Sequence, residues 1–164
     1  VTEKADTVLT VEDRAGLEVA HVRLLSQARY RAAIYLPRME IGIFDSEGIL
    51  TELRRLATSG RPAQIRILTH DVEQAHREGH RLIALAQRLP TAVSIRMPVD
   101  ESHLGYASAF ICDTTAGYLL RPVASRYEAR GDLDAPGETS RLMAYFDEVW
   151  ERAEPAWQIR PLGI

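Results

Sequence analysis

The sequence predicts an α/β fold built on a mixed, mainly parallel sheet with helices on both faces. Three observations predict it. Short apolar runs at 32–37, 63–69 and 93–98 alternate with segments of helical period, which implies right-handed crossovers between parallel strands. Residues 109–122 read as strand, tight turn and strand, and such a hairpin adds an antiparallel element. A long amphipathic segment from Glu138 to Glu154 carries Leu142, Met143, Phe146, Val149 and Trp150 at helical spacing.

Taken in order, the 164 residues are predicted to form a single domain, with residues 1–11 as a frayed or loosely packed terminus. Glu12 to Arg29 places Leu17, Ala20, Leu24, Leu25 and Ala28 close to helical spacing. Ala32 to Pro37 is a short buried strand. Ser46 reads as the N-cap of a helix carrying Ile49, Leu50, Leu53 and Leu56, and Ser59-Gly60 ends it. Ala63 to Thr69 alternates as a second strand. Asp71 to Leu89 reads as one helix stopped by Pro90, with Asp71 as its cap, and Val93 to Pro98 as a third strand. Trp157, between Pro155 and Pro161, is expected to pin the C-terminal tail to the body.

Composition narrows the function classes. Formal net charge is −3 at pH 7, so no global positive field draws the chain to a polyanion. Acids interleave with Arg54, Arg55 and Arg61 and no aromatic platform accompanies them, which predicts no nucleic-acid partner. The only lysine is Lys4, against 19 arginines, so chemistry needing an internal lysine is excluded. The single cysteine, Cys112, rules out an internal disulfide and reads as a small buried hydrophobe. No apolar run reaches the roughly 20 residues of a membrane-spanning helix, and Val1-Thr2-Glu3-Lys4 shows no apolar leader. The expectation is a cytoplasmic protein without membrane association.

The hairpin puts Asp113 at the end of its first apolar run and Gly117 in the turn. Upstream, Gly48 to Asp71 runs through Arg54-Arg55-Leu56-Ala57, Gly60-Arg61 and Gln64 to Leu68. These segments resemble the phospholipase D-like superfamily, whose signature is H-x-K-x-x-x-x-D. Four shorter blocks are similar to a bacterial family of unknown function that can be fused to GNAT-type N-acetyltransferase domains. They are Gly79-His80-Arg81-Leu82, Gly117 to Pro122, Arg126-Tyr127-Glu128 and Phe146 to Glu151. The resemblance covers the chain from about Leu17 onward and implies a phospholipase D-like fold. It also implies how active relatives work: one histidine attacks phosphorus, a second from a paired motif protonates the leaving group, and lysines hold the phosphate oxygens. Aligned on Asp113, the histidine slot holds Tyr106 and the lysine slot Ser108. The chemistry is replaced.

The leading expectation is therefore a non-catalytic phospholipase D-like domain that binds a ligand or a protein, with a homodimer as the arrangement that would bring two copies of the motif together. One alternative is a phosphodiesterase or hydrolase with residues rearranged around His70, His103 and Asp113. Another is an accessory domain of an N-acetyltransferase system. His103 lies three residues before Tyr106, so on a strand it would face the opposite side. Ligands of open α/β sheets bind beyond the carboxyl ends of the strands, where Arg38 and His70 fall. With Tyr106 and Arg121 these are the candidate ligand-binding residues, and Arg121 is expected in a buried ion pair, with Asp113 and Glu128 as candidate partners. His76 and His80 share a helical face, but Glu78 is one position late for H-E-x-x-H and Arg77 repels a cation, so no metal is predicted. No phosphate loop, dinucleotide fingerprint or Ser-His-Asp spacing is present, and no cofactor is predicted.

Overall fold

Capping chemistry sets the helix boundaries in the computed structural model, which describes residues 6–159 and so leaves Lys4 outside. The elements run β1 (Val8–Val11), α1 (Arg14–Gln27), β2 (Arg31–Tyr35), α2 (Glu47–Ala57), β3 (Gln64–Leu68), α3 (Val72–Arg77), α4 (Arg81–Arg88), β4 (Val93–Met97), α5 (Glu101–Leu104), β5 (Ala109–Cys112), β6 (Tyr118–Arg121), β7 (Ala129–Asp132), α6 (Pro136–Arg152) and β8 (Glu154–Pro155). Asp13, Ser46 and Asp71 accept at the starts of α1, α2 and α3 from Gly16 N, Ile49 N and Gln74 N, at 2.7, 3.4 and 3.0 Å. The helix expected over 71–89 is two. Gly79 takes φ +74° between them, a conformation glycine adopts without cost. His80 then caps α4, its Nδ1 accepting from Leu82 N and its Nε2 donating to Ile43 O. The spacing of His76 and His80 therefore does not lie on one continuous helix.

The eight strands form one sheet in the order β1-β7-β6-β5-β2-β3-β4-β8. Only the β2–β3 and β3–β4 ladders are parallel; the other five are antiparallel, so the sheet is mixed but not mainly parallel. The local crossovers were read correctly. Three strands escaped the pattern because they are short and pair with distant partners. Val8–Val11, within the segment expected to be frayed, pairs with β7 from Val8↔Asp132 to Val11↔Ala129. The rest of that call, residues 1–5, lies outside the described residues.

Helices cover both faces, as the alternation requires. On one face α1–α4 bury Leu17, Leu24, Leu53 and Leu82 against Ile34, Ile65, Ile67 and Ile111. On the other, α6 packs Phe146, Val149 and Trp150 onto Ala33, Tyr35, Leu68, Phe110 and Cys112. Burial pushes the Cys112 thiol up to about 12, so the thiol stays protonated. Trp157 is 71% exposed and does not pin the tail.

His21 on α1 is buried against the edge of Phe44, with ring centroids 4.8 Å apart. Burial, and then the charge of Arg121, lower its pKa from 6.5 to about 3. Between these values the folded ring stays neutral while the unfolded chain takes up a proton. His21 therefore contributes stability that is present above pH 6.5 and lost as pH falls towards 3. Burial lowers His70 and His80 in the same direction. Urea midpoints from pH 7 to 4 should fall, and His21→Leu should flatten the fall by about 1 kcal/mol per pH unit. An unchanged slope would refute the assignment.

Candidate functional site

Alternation along β2 turns Ala33 and Tyr35 to the α6 face, and the β2–β5 register sets Tyr35 opposite Phe110. His70 follows β3, its backbone N–H held by Pro37 O at 3.0 Å, and its Nε2 meets the Tyr35 hydroxyl at 2.9 Å. Burial lowers the pKa of His70 and raises that of Tyr35, so the hydrogen bond joins a neutral imidazole and a neutral phenol. The Tyr35 ring lies 4.9 Å from Tyr106 and 6.2 Å from Tyr145, and Tyr106 lies 4.7 Å from Tyr145. Burial raises both of these phenols as well.

His103 joins the same cluster, its ring 6.2 Å from Tyr145 and its Nε2 3.9 Å from Glu148. Strand alternation would have sent it to the other face. Residues 101–104 instead form α5, with Asp100 accepting from Ser102 N, so strand parity does not apply. The ring is 3% exposed, and its Nδ1 has no partner among the described residues.

The remaining candidates go elsewhere. Asp113 ends β5 three strand residues away from the level of Tyr35, about 10 Å at strand rise. Its Oδ1 accepts from the backbone N–H of Thr115, Ala116 and Gly117 at 2.9 Å each, and its Oδ2 from Gln27 at 2.6 Å. The carboxylate is thus spent on the hairpin turn, where Thr114 sits at φ +75°. It does not meet Arg121, which lies at the far end of β6 opposite Ala109 and points to the α1 face beside His21. Arg121 donates to Ala124 O at 2.7 Å and makes no ion pair among the described residues. Burial lowers its pKa, with Glu40 opposing. The expected pair is absent because the two residues sit four pairs apart along the hairpin, where sequence spacing made them look close. Arg38 is exposed, 3.8 Å from Glu40, in a cleft that also holds Asp71 and Glu78, a surrounding that repels an anion.

The structure therefore joins His70, His103 and Tyr106 and separates Asp113, Arg38 and Arg121 from them. Tyr35 and Tyr145, which hold the group together, were not singled out from sequence. Tyr145 follows Leu142 by three residues, so it shares the face of α6 that carries Phe146 and Val149, and the helical period could have found it. Ser108, in the lysine slot, donates to Pro122 O at 2.7 Å. No arginine takes part in the ring contacts among Tyr35, His70, His103, Tyr106 and Tyr145.

This arrangement of strands and helices is that of known structures. Nuc from Salmonella typhimurium, a phospholipase D family member, superposes with a TM-score of 0.62 at 10% identity, over 91% of this chain and 97% of that one. NucT from Helicobacter pylori gives 0.63 at 12% identity, with the same coverage. TrmBL2, an archaeal chromatin protein with a novel mode of DNA binding, gives 0.65 at 15% identity over 92% of this chain. The chain spans only 53% of TrmBL2. At these identities the likeness shows the fold alone, and that fold is phospholipase D-like. No curated protein matches the sequence. Among the described residues no helix is long and apolar enough to cross a membrane. A family model matches residues 13–162, and the chain belongs to that family, the Domain of unknown function (DUF7931).

Proposed function

We propose that this is a non-catalytic phospholipase D-like domain that acts by binding, and that its contact surface is the aromatic strip around Tyr106. One observation carries the reading: the side chain in the histidine slot packs between Tyr35 and Tyr145, while the one in the lysine slot is turned to a backbone carbonyl. A phenol whose pKa burial raises is a poor nucleophile at neutral pH, and among the described residues no arginine or lysine acts on the Tyr106 hydroxyl.

The strip continues beyond the cluster. α6 lies over β2 and β5, leaving Tyr118 and Leu120 of β6 partly exposed beside Leu142, Met143 and Tyr145. A second copy of the chain is the occupant this surface fits. The superfamily pattern brings paired motifs together at the position Tyr106 occupies, and a two-fold contact needs a self-complementary patch. Arg130 and Asp132 on β7, with Glu138 and Arg141 on α6, supply both signs of charge at its border.

Two measurements on the purified protein test the proposal. Bis-p-nitrophenyl phosphate and single-stranded DNA should be hydrolysed no faster than in buffer. Light scattering should give a mass near twice 18.4 kDa that Tyr145→Glu halves. Turnover abolished by His70→Ala or His103→Ala would establish the rearranged hydrolase instead. A monomer at micromolar concentration would remove the homodimer.

A further inference from the structure

A second concave site lies on the α6 face, at the opposite end of the central strands. It encloses about 580 Å³, within the usual range of about 300–1,000 Å³ for small-molecule sites. Its walls are the loop from α1 into β2, the start of β3, the Asp113–Thr115 turn, and Met143 and Asp147 of α6.

The charges in this cleft do not cancel. Asp113 is saturated by the turn amides and Gln27. Asp147 is held by Arg66 at 3.0 Å, and the same guanidinium lies over the rings of Phe146 and Trp150. Arg29 and Arg31 remain. Neither forms an ion pair or a hydrogen bond among the described residues, and Arg31 rests over the Tyr30 ring at 5.4 Å. Arg29 lies in the loop that leads into β2 and Arg31 opens the strand, and both line the cleft. In a chain of net charge −3, the cleft is lined by three guanidinium groups against two carboxylates, a local positive excess and not a reflection of overall charge.

We infer that this cleft binds a phosphorylated small molecule, its phosphate between Arg29 and Arg31 and its apolar body against Tyr30 and Met143. Guanidinium suits the phosphate because it offers paired N–H donors in a plane matching two phosphate oxygens. The aromatic ring and thioether suit a flat or apolar body. The inference does not rest on the role given to the Tyr106 cluster, which lies at the other end of the same strands, although Met143 borders both surfaces.

Calorimetric titration of the whole chain tests it, with pyrophosphate and adenosine monophosphate as probes and adenosine as the uncharged control. At least one phosphorylated probe should saturate at a single site and bind at least about tenfold tighter than adenosine. The double variant Arg29→Ala, Arg31→Ala should weaken that binding at least about tenfold, while Arg77→Ala, an exposed arginine on α3, leaves it unchanged. Failure of both phosphorylated probes to saturate would overturn the inference. So would equal affinity for adenosine, or equal loss with Arg77→Ala. Arg29 and Arg31 are exposed, so a matching melting temperature shows that the double variant keeps its fold. Tyr145→Glu should leave phosphate binding intact, so the two sites fail or stand separately.

Discussion

Alanine at Gly131 is expected to cost about 3 kcal/mol or more, because the added methyl meets backbone that cannot yield. Gly131 is the third residue of β7, between Leu9 of β1 and Leu119 of β6. A Cβ there would stand 2.1 Å from Tyr118 O and 2.9 Å from Leu119 Cα, both main-chain atoms of the neighbouring strand. Relief requires parting the β6–β7 ladder, and β1 goes with it because its only partner is β7. In a chain of this size the melting temperature should drop by roughly 6–12 °C. Gly117→Ala is the control. Its new methyl would meet Leu24 Cδ1 and Gln27 Nε2, each at 2.5 Å, and these ends of side chains shift at the cost of the Gln27–Asp113 bond and not of a strand ladder. If Gly117→Ala destabilises as much as Gly131→Ala, backbone approach is not the reason for the glycine.

The second large effect is expected at Asp113. Asp113→Ala removes the acceptor of three backbone N–H groups, one of them on buried Gly117, and of the Gln27 amide. A hydrogen bond to a charged group contributes about 1.5–3 kcal/mol, and each buried donor left unpaired costs about 1–3 kcal/mol. Partial rescue by water reduces the sum, and a loss of about 3–4 kcal/mol in urea unfolding is the expected result. Thr114 adds to it, because a β-branched residue at φ +75° keeps that conformation only while its neighbours hold it. Asp113→Asn retains the Oδ1 acceptor but sets an amide against Gln27 Nε2. Relieving that clash by flipping Gln27 sacrifices its bond to Leu133 O, so about 1–2 kcal/mol is expected. A loss below about 1 kcal/mol for Asp113→Ala would show that the carboxylate does not hold the turn.

These two residues also mark what local sequence could and could not convey. Asp113 stood out through the motif, and its hold on N–H groups two to four residues ahead was not read, whereas Gly117 was visible because turn chemistry is local. The N-caps Ser46 and Asp71 were visible for the same reason. β7 was not. Its sequence, Ala-Arg-Gly-Asp, contains two residues depleted in strands, and it is a strand only because β6 and β1 pair with it from either side. Four antiparallel ladders thus hid behind two legible crossovers and one legible hairpin. The aromatic cluster was half visible. Tyr106 stood out through the motif slot and His70 through its place after a strand, whereas Tyr35 read as part of a buried strand and Tyr145 was passed over on its helix. His103 was sent to the wrong face because α5 is too short to show a period.

The pairing of β1 with β7 has a consequence in time. Val8 and Asp132 are 124 residues apart, so the partner of Val8–Val11 does not exist until most of the chain has been made. At elongation rates of about 5–20 residues per second, the segment waits on the order of 10 s outside the ribosome with its ladder groups unmatched. The remaining strands meet neighbours much sooner, β5 with β6 across one tight turn and β2 with β3 across one helix. Of the strands in this sheet, the first therefore waits longest for a partner.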